Sequence, residues 1–151
     1  FSENKRLAEK ITKMAIKIGG QLKPLHFFAP LLLILSDDAN ERGMTLYTVL
    51  KSRYRSLKYL HFRQGEDLKS GGVLKDRELI VAVFSSIRAW KGGASPWLLK
   101  CITELKDKAE IFISFGSPYI IDNIRGDVIK IYVYWDSDTA QKAVAEVIIR
   151  R

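Results

Sequence analysis

Apolar residues follow two rhythms along this chain: short unbroken runs, and stretches in which they recur every three or four positions. The unbroken runs are 31–36, 79–84 and 111–115. Runs this short, rich in β-branched and aromatic residues and bounded by turn formers, read as strands buried on both faces. The run at 111–115 stops at Gly116-Ser117-Pro118, where Ser117 reads as a helix cap and Pro118 as a first helical residue, since proline has no N–H to leave unpaired there. Two further runs are mixed: 57–62 contains Lys58 and His61, and 128–134 contains Lys130. Polar residues in a strand mark it for the edge of a sheet.

The helical rhythm appears four times. Leu7, Ile11, Met14, Ala15 and Ile18 share one face of a predicted helix that ends at Gly19-Gly20. Leu46, Tyr47, Leu50 and Tyr54 form a second face, with Asp38 or Asn40 as its cap. Leu98, Cys101, Ile102 and Leu105 follow the cap Ser95-Pro96, and Ala140, Ala143, Val144, Val147 and Ile148 follow Asp136 or Ser137. The polar stretch 64–78 and the segment 85–95 read as loops. Strands alternating with helices predict an α/β fold: a three-layer sandwich around a doubly wound, mostly parallel sheet of roughly five or six strands, in the order 2-1-3-4-5.

With 151 residues the chain is expected to form one domain, residues 1–151. A chain of this size buries about 70% of its unfolded surface. The run 27–35 is broken by Pro30 and is too short to cross a bilayer, and the amino-terminal stretch lacks a signal-peptide pattern. The sequence opens at Phe1 rather than methionine, so it is read as a piece of a longer chain. Cys101 stands alone, which excludes an internal disulfide, and it reads as a small buried hydrophobe. Two distant histidines give no zinc spacing, and no metal or cofactor is expected.

Charge changes the picture at one place. The net charge is +8, and Lys51, Arg53, Arg55, Lys58 and Arg63 follow one another with no acid between them. Such a basic edge could meet phosphates. It is equally a solvated edge or a face docked on a partner domain. The absence of a helix-turn-helix, an RNA-binding aromatic signature and a glycine-rich phosphate loop makes nucleic acid an unlikely partner.

In the predicted strand order, ligands favour the crevice at the carboxyl ends of the first and third strands. Asp37 and Asp38 lie on one side of it, and Ser85, Ser86 and Arg88 on the other. The plainer reading has the aspartates capping the next helix and pairing with Arg88. A phospho-receiver site would need an aspartate ending the third strand and a lysine ending the fifth, where this chain has Ser85 and Trp135. Phe115-Gly116-Ser117-Pro118 is not a nucleophile elbow, and no dinucleotide or P-loop fingerprint is present. Trp90 and Trp97 frame Gly92-Gly93; Trp97 is expected on its own helix, whereas Trp90, with Arg88, Lys91 and Gly92, suits stacking on a sugar or a partner.

Several of these stretches, taken in order, resemble the C-terminal α/β domain of glycoside hydrolase family 3, in its β-N-acetylglucosaminidase branch. Ala8-Glu9-Lys10-Ile11-Thr12 through Leu22-Lys23-Pro24-Leu25 is similar to the opening helix and connector, with Lys23 in place of an apolar residue. Val81-Ala82-Val83-Phe84 through Arg88-Ala89-Trp90-Lys91-Gly92 resembles the third strand and its loop. Ser114-Phe115-Gly116-Ser117-Pro118-Tyr119 resembles the family's Ser-Phe-Gly-Asn/Ser-Pro-Tyr turn, and Tyr134-Trp135-Asp136-Ser137 its closing segment. The resemblance implies an accessory domain of an enzyme that hydrolyses β-linked amino sugars. Its nucleophile, acid/base loop and sugar-binding motif would all lie in an N-terminal (β/α) barrel of the same polypeptide. Some β-glucosidases of the family recruit an acid/base glutamate from this second domain; Glu66 sits in a loop where one would look, but its surroundings do not match, and no catalytic residue is carried over. The chain alone is therefore expected to be inactive. Asp37, Asp38, Arg88, Trp90, Lys91, Gly92, Ser117 and Tyr119 are the candidates for ligand or interdomain contact, with carbohydrate possible at the domain interface. Bacterial cytoplasm and cell envelope both remain open. The alternative reading is a free-standing basic module that binds nucleic acid or another polyanion.

Overall fold

The computed structural model describes residues 17–19, 27–37, 40–68, 72, 74–85, 94–116, 118–124 and 128–150. Within them the chain forms β1 (Lys17–Gly19), β2 (Pro30–Ser36), α1 (Met44–Arg53), β3 (Lys58–Arg63), β4 (Glu78–Phe84), α2 (Pro96–Leu105), β5 (Ala109–Phe115), a 3₁₀ turn (Pro118–Ile121), β6 (Ile129–Val133) and α3 (Asp138–Ile149). The sheet order is β1-β6-β5-β4-β2-β3. Neighbours from β3 to β6 are parallel, and β1 runs antiparallel to β6.

The unbroken apolar runs are strands covered on both faces. Every residue of β2 is buried, and so is β4 from Leu79 onward. Side chains alternate across a strand, so each run divides its residues between two cores. Leu32, Ile34, Ile80, Ala82, Ile111 and Ile113 pack with Leu46 and Leu50 of α1 and Val144 and Ile148 of α3. Leu33, Leu35, Val81, Val83 and Phe112 pack on the other face with Leu98, Cys101 and Leu105 of α2. Helices on both faces are what a parallel sheet needs, and the α/β class follows from it.

Five expectations are corrected. The strand order differs from the expected 2-1-3-4-5 because a sixth strand, β1, is added outside the last one. That strand contains Ile18, read from its spacing as helical; Ile18 instead pairs with Ile131. Consequently β6 is internal despite Lys130, whose ammonium escapes the sheet to the Asp122 carbonyl at 3.4 Å. The rest of the expected first helix lies outside the described residues. The cap of α1 is also different: Gly43, at φ 80°, takes the position expected of Asp38 or Asn40, with no side-chain cap. A Cβ there would stand 2.6 Å from Ile34 Cδ1, so close approach of helix to strand selects glycine. Finally, Pro118 opens a 3₁₀ turn of four residues rather than an α-helix.

Candidate functional site

At the carboxyl ends of β2 and β4 the described residues are tied to their neighbours by hydrogen bonds. Asp37, just past β2, accepts from the Ser95 amide at 3.2 Å and from the Ser95 hydroxyl. Ser95 Oγ in turn accepts from the Leu98 amide at 3.1 Å, capping α2. Asp37 thus serves a helix start, but that of α2 rather than of the next helix in the chain. Its negative charge sits where the helix dipole is positive. Across the crevice, the Ser85 amide donates to Phe115 at 3.3 Å, and the Gly116 amide donates to Val133 at 2.8 Å. Gly116 has φ 109°, and a Cβ on it would lie 2.9 Å from the Ser85 carbonyl oxygen. The rings of Phe84 and Phe115 stack 4.5 Å apart beneath this seam. Of the other expected contact residues, Asp38, Arg88, Trp90, Lys91, Gly92 and Ser117 lie outside the described residues. Tyr119 falls in the 3₁₀ turn.

The structure brings together a pair that the pattern of the chain does not announce. Ser36 Oγ and His61 Nε2 are 2.7 Å apart, joining β2 to the edge strand β3. That is the reach of a nucleophile and its base. Ser36 is 0% exposed, so no substrate meets it and the bond is structural. The only hint in the sequence is that both are polar residues in runs otherwise apolar.

A second group that no sequence pattern announces lies at the start of α1. Arg42 and Asp136 form an ion pair at 3.5 Å, and Thr45 donates to Asp138 at 2.8 Å, holding the start of α1 against the turn after β6. Buried Gln141 completes the clamp: its oxygen accepts from the Leu46 amide at 3.1 Å and its nitrogen donates to the Asp136 carbonyl at 3.0 Å. Around this clamp Met44, Tyr134 and Trp135 are 40, 46 and 49% exposed.

The remaining candidates are spread out. Lys51 donates to the Leu57 carbonyl at 3.0 Å, and Arg53 lies over the Tyr54 ring, 5.4 Å from its centre. Lys58 begins β3 and Arg63 ends it, so the basic edge spans a strand length of roughly 17 Å. Glu66 accepts from the Arg63 amide at 2.9 Å, and its carbonyl accepts from the Trp97 indole at 2.9 Å. Trp97 therefore fastens the loop after β3 to α2. The larger of two described cavities, about 690 Å³, is at the other end of the sheet, floored by Leu68, Leu74, Leu79 and Leu105 and rimmed by Lys75 and Glu104. Cys101 borders the smaller one, of about 250 Å³. Burial, reinforced by nearby Glu104, pushes its thiol up to about 12, which leaves no thiolate to react near neutral pH. Among the described residues no cluster of His, Cys, Asp and Glu could hold a metal ion, and no helix is long and apolar enough to cross a membrane.

No protein-family profile matches the sequence, and no curated protein does. Solved structures do match. A glycoside hydrolase family 3 β-N-acetylglucosaminidase from Paenibacillus sp. str. FPU-7 superposes on 99% of this chain and 31% of its own, at TM-score 0.75 and 18% identity. A fungal multi-domain β-N-acetylglucosaminidase of the same family matches 99% of this chain and 18% of its own, at TM-score 0.75 and 12% identity. The β-N-acetylglucosaminidase from Thermotoga maritima matches 93% and 30%, at TM-score 0.58 and 11% identity. The chain resembles one domain of these enzymes and spans less than a third of their length. At such identities the likeness is one of fold.

Proposed function

We propose that this chain is a single accessory α/β domain of a longer glycoside hydrolase family 3 protein acting on β-linked amino sugars. One observation carries the reading: 99% of the chain superposes on less than a third of the Paenibacillus β-N-acetylglucosaminidase. The site geometry agrees with chemistry performed elsewhere. The carboxylates of Asp37 and Glu66 are held by the Ser95 and Arg63 amides, and Ser36 is sealed from solvent. Neither carboxylate is presented as a glycosidase acid or nucleophile would be.

In this reading the carboxyl ends of the parallel strands face a (β/α) barrel of the same polypeptide. The candidates for that contact are residues 88–93, Ser117 and Tyr119 from the sequence, and Met44, Tyr134 and Trp135, which supply exposed apolar area. Aromatic residues and methionine are enriched in such interfaces, and a sugar held between the domains could stack there. The test is an assay of the purified chain on p-nitrophenyl N-acetyl-β-glucosaminide. No release of nitrophenol above a denatured blank is expected, and steady turnover would reject the accessory role.

A further inference from the structure

The opposite end of the sheet carries a surface that this reading does not use. Phe28 is 92% exposed, whereas the next most exposed large hydrophobic among the described residues is Trp135 at 49%. Its backbone is held on both sides: the amide donates to the Glu78 carboxylate, and the carbonyl accepts a long bond, 3.5 Å, from Ser56 Oγ. Beneath it Phe27 meets Tyr54 edge-on at 5.1 Å, and Arg53 lies against the same Tyr54 ring. The Ser56 bond brings Phe28 beside Arg55, and Lys58 pairs in register with Leu31, three residues further along. Arg53, Arg55 and Lys58 are all exposed. Glu78 is the acid in contact with this segment, and it is half-buried with its oxygens turned to the Phe28 and Ala29 amides.

Structural roles explain part of this. A lysine on an edge strand discourages pairing with another sheet, and an arginine in the last turn of α1 suits its dipole. Neither explains a phenylalanine ring left in water on a backbone fastened beside exposed Arg55. The geometry points to a docking surface for an anionic lipid bilayer, with Phe28 entering the headgroup region and Arg53, Arg55 and Lys58 meeting lipid phosphates. An exposed apolar ring and exposed cations in the adjoining segment 53–58 are complementary to that interface on both counts. Single-stranded nucleic acid fits less well, since it is held in a charged groove by several successive aromatics, and here one ring stands at a sheet edge. The surface lies at the amino ends of β2 and β3, so a barrel at the carboxyl ends would leave it uncovered.

Co-sedimentation of the chain with vesicles of phosphatidylcholine containing roughly a third phosphatidylglycerol tests the assignment. Binding is expected at low salt, weakening as salt rises, and absent with pure phosphatidylcholine. Phe28→Ser should lower it about tenfold, the loss expected when one buried aromatic side chain is removed. Arg53→Gln with Arg55→Gln should lower it about 25-fold, at about fivefold per cation. Lys142→Gln, on α3, should leave it unchanged. All four residues are exposed, and a thermal melt checks that each variant folds. No binding to the anionic vesicles, or binding that ignores both patch variants, overturns the proposal. So does patch-dependent binding to an oligothymidylate in place of vesicles.

Discussion

Glu78 opens β4, yet its side chain works outside that strand. Burial disfavours its charge, but the amides of Phe28, Ala29 and Glu78 itself donate to it and together prevail, so its pKa lies below the usual value of 4.5. A carboxyl group whose folded pKa is depressed stabilises the fold above its unfolded pKa, and that contribution disappears as pH falls through the folded value. Glu78→Gln keeps an acceptor oxygen and removes the charge. It should be less stable than the native chain at neutral pH, and the gap should close well below pH 4.5. Denaturant midpoints measured across that range would show it; a gap of constant size would mean that charge is not the cause. Gly43 and Gly116 show the same dependence on distant neighbours. Each is required by a positive φ and by an atom from another element, Ile34 in one case and Ser85 in the other. Nothing near them in the chain states either requirement.

At the scale of elements, two of three helix caps and one of two expected edge strands, β3, were readable, whereas the cap of α1 and the place of β6 were not. Ser95-Pro96 and Ser137 start α2 and α3 as their types and positions predict. Ser95 has a second task that only the fold reveals, because Asp37 at the end of β2 leans on it. Ser137→Ala, at an exposed cap, should cost about 1 kcal/mol. Ser95→Ala should cost about 2 kcal/mol, since the half-buried Asp37 loses a donor as well. Equal costs in urea denaturation would show that the Asp37 contact adds nothing. Ile18 is the opposite case. Its spacing with Leu7, Ile11, Met14 and Ala15 is helical, yet Lys17–Gly19 pairs with β6 because a strand beside an open sheet edge gains backbone hydrogen bonds. Local period was outweighed by a partner more than a hundred residues away in the chain, since Ile18 faces Ile131.

For the whole molecule, Ile113 is the most informative single position. It is 0% exposed, lies between Ala82 and Ile131 in register, and packs toward α1 and α3. Ile113→Ala should cost ~2–5 kcal/mol, as core truncations that leave a cavity do. A loss under about 1 kcal/mol would mean that this sheet face is not packed as described. The candidate site was less legible than the core. Asp37 was singled out for its position after a strand, and position alone cannot distinguish a ligand contact from a helix cap. The Arg42–Asp136 clamp, with Met44, Tyr134 and Trp135 around it, joins segments ninety residues apart that carry no shared motif.

The sequence by itself determined the class of fold. Five apolar or mixed runs alternating with amphipathic stretches leave little choice but a parallel sheet with helices on both faces, because hydrophobic period is a local property and each run states its own burial. The tertiary structure alone decided which strand closes the sheet beyond β6, which glycine begins α1, and what Asp37, Ser36 and Phe28 meet. Those outcomes depend on contacts between distant segments, and a side chain's exposure or partner is set by what the fold places against it.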